Sequence, residues 1–282
     1  MYFLSIENHK GERLNLTQNP KYSVTNIEGL TPPQANINTA INANFDGSVF
    51  RSSRLTDRNI VITLAIEGDA EANRIELYRY IKAKKQCTIY YRNGRRDVSI
   101  VGYVESLNVG IFEQKEVAQV SILCPKPYFA DVVNTILDMS AISSGFEFPF
   151  SIDSEGIEFS RVNAGQESIV QNIGDVETGA LIVFHATGDV MVPAIYNVDT
   201  GERMRINVDM TAGDLLVINT KQGEKSIHLV VDGIETNVIN KLIVGSTWLQ
   251  FESGANTMLV DADMGVEHFQ CFVTFNNLYE GV

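Results

Sequence analysis

The sequence is poor in cysteine and histidine, which limits the metal and redox chemistry it can support. Three cysteines, Cys87, Cys124 and Cys271, lie far apart among 282 residues and in apolar, strand-like surroundings. We therefore expect buried reduced thiols, not disulfides or metal ligands. Such thiols are typical of proteins that fold in a cytoplasm. The four histidines occur singly, without the spacing of a zinc site.

Local motifs of enzymes are also missing. No G-x-S-x-G elbow, P-loop or G-x-G-x-x-G opens a helix, so acyl transfer, nucleotide hydrolysis and dinucleotide use have no local support. The run Asp261-Ala262-Asp263 resembles the opening of a calcium loop but lacks the later ligands, which predicts a turn. A pair of carboxylates for glycoside cleavage stays open, because a sequence does not give their separation. We expect no enzyme, no metal ion and no cofactor.

Long apolar runs are absent as well. No stretch approaches the roughly 20 apolar residues of a membrane helix, and the first residues lack the basic and apolar regions of a signal peptide. We therefore expect neither membrane insertion nor export. With 44% hydrophobic and 20% charged residues, the chain should fold, and 282 residues suffice for two domains.

Positive charge is scarce in the second half of the chain. Residues 1–130 carry 16 Lys or Arg against 13 Asp or Glu, while residues 131–282 carry 6 against 22, within a net charge of −13. An acidic domain repels nucleic acid and anionic membranes. We expect no specific nucleic-acid binding, although acidic walls would let DNA pass without adhering.

The pattern that is present is mainly β. Alternating or β-branched segments in the first half predict strands over 3–8, 22–30, 34–43, 58–68, 87–93, 97–112 and 117–124. One helix is predicted between Gly68 and Gln86, with Asp69 as its N-cap and lysines in its last turn. The fold class is therefore all-β, mainly β with one helix.

The pattern breaks near Pro125 and Pro127, close to the change in charge balance. We place a domain boundary there, which gives domains of 1–130 and 131–282. About a dozen short strand-like segments follow, separated by turns rich in Gly, Asp and Asn. The second domain is therefore expected to be an antiparallel sandwich or jelly roll.

Motifs in both halves resemble, in order, those of the siphophage distal tail proteins. In the first half they are Phe45-Asp46-Gly47, Phe50, Arg54, Arg58-Asn59-Ile60, Leu77-Tyr78, Tyr90-Tyr91, Gly102-Tyr103-Val104 and Cys124 to Phe129. In the second half they are Thr200-Gly201-Glu202, Ala212-Gly213-Asp214, Ile218-Asn219-Thr220, Gly245 to Trp248, Ser253 to Asn256 and Tyr279 to Val282. Each motif is weak alone, but their joint order spans nearly the whole chain.

This resemblance implies a particular architecture and role. It implies a tail-tube-like first domain, a split barrel or sandwich that forms a hexameric ring, and a galectin-like second domain. The ring would sit at the distal end of the tail tube of a virion, as a hub that leaves a passage for DNA. Its partners would be further copies of itself, the tail tube protein, a tail-tip protein and receptor-binding proteins. Folding and assembly would take place in the bacterial cytoplasm.

The stretch 31–58 is a candidate for contact between subunits. It is long, polar and light in bulky core residues, and three arginines stand near its end. Both an arm that reaches a neighbour and an exposed hairpin loop have this character. The candidate interface residues are Phe45, Phe50, Arg51, Arg54 and Arg58.

The alternative function is a carbohydrate- or host-receptor-binding module in the second domain. Trp248 is its candidate glycan contact, because aromatic rings stack on sugar faces. Trp248 alternates with other apolar residues in STWLQFESG, which favours a core or half-buried position. A galectin-like fold alone does not carry sugar binding.

Overall fold

The chain divides into two compact units, each with its own core. A computed structural model describes residues 2–41, 46–112, 115–139, 142–144, 160–162 and 167–282. The first unit contains Met1–Val132 together with Leu278–Val282, and the second contains Val133–Asn277.

The first unit is built on one antiparallel sheet. Its elements are β1 (Phe3–Asn8), β2 (Arg13–Asn15), β3 (Tyr22–Glu28), β4 (Ala35–Ile41), β5 (Ser48–Leu55), β6 (Arg58–Ile66), α1 (Ala70–Tyr80), β7 (Gln86–Arg92), β8 (Asp97–Val109), β9 (Val117–Cys124), β10 (Phe129–Asp131) and, at the far end of the chain, β24 (Leu278–Tyr279). The sheet runs in the order β2-β1-β7-β8-β9-β6-β3, and β10 pairs with both β8 and β24. Strands β4 and β5 pair only with each other.

Alternating side chains build the core of this sheet. In β6, Ile60, Ile62 and Leu64 are fully buried, as a strand with one covered face requires. In β8, Gly102 takes the same inward phase, where a Cβ atom would lie 2.6 Å from Ile122 Cγ2 and 2.7 Å from Cys124 Sγ. A glycine is needed there because its neighbours across the sheet already fill the space.

The predicted helix is present but shorter than the interval the sequence allowed. It begins after Asp69, whose carboxylate accepts a hydrogen bond from the Ala72 amide at 3.1 Å. It ends at Tyr80, and Ile81 is already extended. The lysines expected in its last turn therefore follow the helix.

The second unit is a sandwich of two antiparallel sheets. Its strands are β11 (Thr135–Asp138), β12 (Ile142–Ser144), β13 (Ser160–Val162), β14 (Glu167–Asn172), β15 (Ala180–Ala186), β16 (Val190–Asn197), β17 (Arg203–Arg205), β18 (Asp209–Met210), β19 (Leu215–Asn219), β20 (Ser226–Val231), β21 (Ile234–Asn237), β22 (Gly254–Met264) and β23 (Phe269–Phe275), with short 3-10 turns at Ile239–Lys241 and Val266–His268. One sheet has the order β11-β23-β15-β19-β20-β21, and the other β14-β22-β16-β17, with β18 also on β16. Strands β12 and β13 form a separate pair.

Side chains from both sheets of the sandwich meet in one apolar core. Phe184 and Phe275 come from one sheet and Met258 from the other, all fully buried. The segment TWLQFES alternates like a strand, but it makes only an isolated bridge, from Phe251 to Thr178. The mainly β fold with one helix is confirmed for the described part of the chain.

The last five residues lie in the first unit, whereas the sequence division at residue 130 grouped them with the second domain. They return because β24 pairs with β10, placing Tyr279 opposite Phe129 and Leu278 opposite Ala130. Tyr279 is buried there. Nothing local in the sequence signals this long-range pairing.

Candidate assembly surface

Strands β4 and β5 form a two-stranded ribbon that leaves the sheet of the first unit. Their pairing runs from Ala35 opposite Leu55 to Ile41 opposite Ser48, with a bulge after Asn38. Nearly every residue of the two strands is exposed. A two-stranded hairpin is only marginally stable alone in water. We call this element the ribbon, and contact with another surface would stabilise it.

One face of the ribbon is apolar. Residues paired across two strands share a face, and successive residues alternate between faces. The pairing therefore places Ile37, Ile41 and Phe50 on one face together with Ala35 and Leu55. Ile37 is 60%, Ile41 89% and Phe50 61% exposed. Such a row of exposed apolar side chains is typical of an interaction surface.

The other face of the ribbon is more polar, although Val49 and Ala40 pair on it. Arg54 lies opposite Asn36, and Ser52 lies opposite Asn38. Arg51 is the extra residue at the bulge. Within the described ranges, neither Arg51 nor Arg54 forms an ion pair. The ribbon thus offers two arginines to an outside partner.

The structure brings together three of the five predicted interface residues. Phe50, Arg51 and Arg54 follow one another along exposed β5. Phe45 lies outside the described residues. Arg58 is 3% exposed and lies inside the first unit, so its side chain is not presented to a neighbour.

Arg58 joins four segments of the first unit at the root of the ribbon. Its guanidinium donates hydrogen bonds to backbone carbonyls, including 2.7 Å to Pro127 and 2.8 Å to Thr31. The complete set of acceptors is Gly29, Thr31, Pro127 and Glu280. The guanidinium also lies over the Phe129 ring, 4.7 Å from its centroid. Burial lowers the pKa of Arg58 from its ordinary value.

Residues 278–282, which return to the first unit, also pack near the segment from which the ribbon starts. Arg96 donates to the Gly281 carbonyl and lies over the Tyr279 ring at 4.3 Å. The Val282 amide donates to the Leu30 carbonyl at 3.1 Å. A Cβ atom on Gly281 would lie 3.0 Å from Pro32 Cδ. The ribbon therefore starts from a tightly packed base.

A second exposed apolar surface lies on the outer face of the sheet, opposite its core. Tyr103 and Leu123 face each other across β8 and β9, and Val101 precedes Tyr103 on the same face. Their exposed fractions are 46%, 37% and 44%. We call Val101, Tyr103 and Leu123 the sheet patch. Alternation in the sequence does not signal this patch, because a strand with one exposed face alternates in the same way whether or not that face binds a partner.

Two exposed carboxylates lie on the same sheet as the patch, one beside Tyr103 on β8 and one on β3, which β6 separates from β9. Glu105 follows Tyr103 on the same strand, is exposed and accepts a hydrogen bond from Ser121 Oγ at 2.8 Å. Glu28, exposed at the end of β3, accepts one from the Asn26 amide at 3.2 Å. In the described part of the chain, no basic side chain pairs with either carboxylate.

Trp248, the candidate glycan contact, is partly buried in the second unit. Its ring packs against the core of the sandwich, and Lys225 Nζ lies 5.5 Å from the ring centroid. This matches the half-buried position that the sequence favoured. One ring face is therefore shared with a lysine of the same chain.

The three cysteines lie in the two hydrophobic cores. Cys87, Cys124 and Cys271 are buried, and none of them forms a disulfide. Burial raises the pKa of the Cys87 and Cys124 thiols to about 12. No group of three or more His, Cys, Asp or Glu residues is placed to hold a metal ion within the described ranges. No helix there is long and apolar enough to cross a membrane.

Comparisons with known proteins agree with this architecture. A family model described as "Phage tail protein RIFT-related domain" matches residues 9–123, and one described as "Siphovirus-type tail component, C-terminal domain" matches residues 173–279. Together the two matches span more than half of the chain. No curated protein matches the sequence significantly.

Solved structures share the fold over the full length. The SPP1 Dit (gp 19.1) protein, described as a paradigm of the hub adsorption apparatus in phages that infect Gram-positive bacteria, is similar at a TM-score of 0.69 and 12% identity, covering 99% of each chain. A chain of the phage P2 baseplate in its activated conformation with Ca is similar at 0.52 and 10%, covering 100% of each. The same baseplate with Sr gives 0.50 and 10%, covering 97% of this chain and 98% of the other.

These findings place the protein among the tail components of long-tailed phages. More particularly, the chain belongs to the siphophage distal tail family, whose members are structural tail and baseplate hub proteins.

Proposed function

We propose that this protein is a virion component that forms a ring, with six copies as the expected number, at the distal end of the tail tube. The ring links the tube to the tail tip and the adsorption apparatus and leaves a passage for DNA. The observation that carries the proposal is the ribbon, an exposed two-faced element on a rigid base. Such an element stabilises itself by contact with another protein surface, and a further copy supplies one.

The ring explains why the two units differ in character. The first unit carries the ribbon and the sheet patch, which serve contact between copies. Residues 131–282 have a large excess of acid, so DNA that passes nearby is repelled and does not adhere. The partners we propose are the tail tube protein on one side of the ring and a tail-tip protein on the other, with receptor-binding proteins attached to the hub. Assembly takes place in the bacterial cytoplasm.

The test is the native mass of the purified full-length chain, measured by light scattering after gel filtration, with negative-stain images of the peak. We expect a species of six subunits with a central hole. A monomer at the highest soluble concentration, with or without added tail tube protein, would contradict the proposal.

The alternative proposal is a carbohydrate- or receptor-binding module in the second unit. Its supporting observation is the partly exposed Trp248, although the nearby Lys225 limits stacking of a sugar on that ring. A glycan array probed with the full-length protein and with Trp248→Leu distinguishes the readings. Binding that the variant loses would support the alternative, whereas no binding by either protein would leave the hub as the function.

A further inference from the structure

We propose that a pocket on the outer face of the sheet of the first unit binds the carboxylates of an extended acidic peptide segment. The pocket has a volume of about 400 Å³ and lies over β1, β2 and β7, beside the loop that follows β2. Its lining includes Ser5, Arg13, Tyr90 and Arg92. Every lining residue belongs to one unit of one chain, so the site does not depend on the proposed ring and goes beyond it.

The register of the strands explains why these side chains meet. Ser5 pairs with Asn15 on one side and with Tyr90 on the other, so the three side chains share the outer face. Phe3 pairs with Arg92 two residues further along the same face. The alternate residues of these strands belong to the apolar core. Burial of that inner face fixes the register and therefore the composition of the pocket floor.

Both arginines of the pocket lie over aromatic rings. The guanidinium of Arg13 lies over the Tyr90 ring, 3.9 Å from its centroid, and that of Arg92 lies over the Phe3 ring at 4.5 Å. Stacking of this kind orients a guanidinium while its edge stays available for hydrogen bonds. Because the arginines are already oriented, less conformational entropy is lost when a ligand binds.

Arg13 and Ser5 have hydrogen-bond donors that their own chain does not use. Arg13 Nε donates to Ser5 Oγ at 2.7 Å, while the two terminal amino groups of Arg13 have no partner among the described residues. Ser5 is only 5% exposed, and within the same ranges its hydroxyl proton has no acceptor. A ligand oxygen in the pocket would accept from both groups, which offsets the cost of a buried donor without an acceptor.

Two carboxylates lie near the arginines without saturating them. Glu7 is opposite Arg13 in the register, but it accepts the Tyr90 hydroxyl at 3.2 Å and forms no ion pair with Arg13 in the described part of the chain. Burial, and after it the charge of Glu7, raises the pKa of Tyr90, so this hydroxyl stays protonated and donates. Asp97 lies 4.0 Å from Arg92 Nη1, and both side chains are more than half exposed. An exposed contact of that length contributes little, so a ligand carboxylate can replace it.

The spacing of the arginines indicates the class of ligand. Tyr90, whose ring supports Arg13, and Arg92 stand two residues apart on one face of β7, a separation of about 7 Å. Acidic side chains at positions i and i+2 of an extended peptide have the same separation and point in the same direction. The forked donors of a guanidinium match the two oxygens of a carboxylate. We therefore expect a Glu-x-Glu segment to bind more tightly than a small free dicarboxylate.

Isothermal titration calorimetry of the full-length protein with the peptide acetyl-Ala-Glu-Ala-Glu-Ala-amide tests the site. We expect one peptide to bind per chain, and no binding of the matched peptide in which Gln replaces both Glu residues. Arg13→Met should weaken binding about ten-fold or more, because it removes a charged, forked donor. Ser5→Ala should weaken it about three-fold, because it removes one neutral donor.

Two further variants separate recognition of a carboxylate from general attraction of charge. Arg95→Met is the matched control, because Arg95 is exposed and lies outside the pocket, and it should bind the peptide like the unaltered protein. Arg13→Lys keeps the charge but loses the fork, so its affinity should lie between those of Arg13→Met and the unaltered protein. Melting temperatures of all variants establish that they fold.

Three results would overturn the inference. The unaltered protein could fail to bind the peptide, or Arg95→Met could lose as much affinity as Arg13→Met, which would reduce the effect to net charge. Free glutarate could also bind as tightly as the peptide, which would make this a site for small anions and not for a peptide segment. The proposed ring is judged separately by native mass, so its failure and the failure of this site are distinguishable.

Discussion

The ribbon and the segment from which it starts differ sharply, although only three residues separate Arg54 from Arg58. Arg54 is exposed on β5 and has no ion-pair partner among the described residues. Arg58 is buried, and its guanidinium donates to four backbone carbonyls. Two arginines that lie close together in the sequence are therefore exposed in one case and buried in the other. The difference shows that the chain around residues 54–58 passes from an exposed ribbon to a packed segment that anchors it.

The packed segment around Arg58 fixes the orientation of the exposed ribbon. A binding element on a flexible root loses conformational entropy when it docks, whereas one that starts from a packed base is already oriented. The base here is closed by Arg58 and by the returning residues 278–282. We therefore expect changes at the root to affect stability and changes on the ribbon to affect association.

The largest expected effect is at Arg58. Arg58→Met keeps much of the apolar stem but leaves four carbonyls without their buried donor, so we expect a loss of about 3 kcal/mol in the free energy of unfolding. Urea denaturation of the full-length chain measures it. A change below about 1 kcal/mol would show that water replaces the guanidinium and that the base is not closed by this side chain.

Gly102→Ala should have the next largest effect. The added methyl group would meet Ile122 and Cys124 inside normal contact distance, and overpacking of this kind costs about 2 kcal/mol. Gly94→Ala is the control, because nothing lies within 4 Å of its Cβ position. Equal melting temperatures for the two variants would mean that Ile122 and Cys124 move to accommodate the added methyl group at little cost in stability.

Alkaline pH should lower the free energy of unfolding through the thiols buried in the core of the first unit. Burial raises the pKa of the Cys87 and Cys124 thiols from the ordinary 9.0 to about 12. The folded thiols stay neutral while the unfolded ones ionise above pH 9, so this stability is complete below pH 9 and is lost as the pH rises. Each thiol accounts for about 1 kcal/mol between pH 8 and pH 10. Urea midpoints at both pH values, compared with those of Cys87→Ala/Cys124→Ala, measure it, and an identical pH dependence in the double variant would contradict the assignment.

Much of the sheet could be predicted from alternation alone. Strands β1 and β9 were predicted with their observed bounds, and β6 and β7 within two residues of theirs, because one face of each is buried. Strand β5 was not predicted, since polar residues occupy most of its positions and a bulge interrupts its period. Alternation of apolar and polar residues indicates that one face of a strand is buried, and it does not indicate which strand pairs with which.

The burial of Arg58 has a local signal in the sequence. It stands in phase with Ile60, Ile62 and Leu64, the buried face of β6. The phase alone marks it as an inward residue, unlike Arg51 and Arg54. Its acceptors had no such signal, because the Glu280 carbonyl lies 222 residues away in sequence. Contacts with residues 278–282 form only when the whole chain has folded, so no local pattern predicts them.

The smallest expected effect on stability is at Arg54, and it sharpens the comparison most directly. Arg54→Met makes the same chemical change as Arg58→Met but removes no described hydrogen bond, so the free energy of unfolding should change by no more than about 0.5 kcal/mol. Urea denaturation of the two variants side by side is the measurement. If Arg54→Met lost as much stability as Arg58→Met, the ribbon would be part of the folded base and not a surface open to a neighbour.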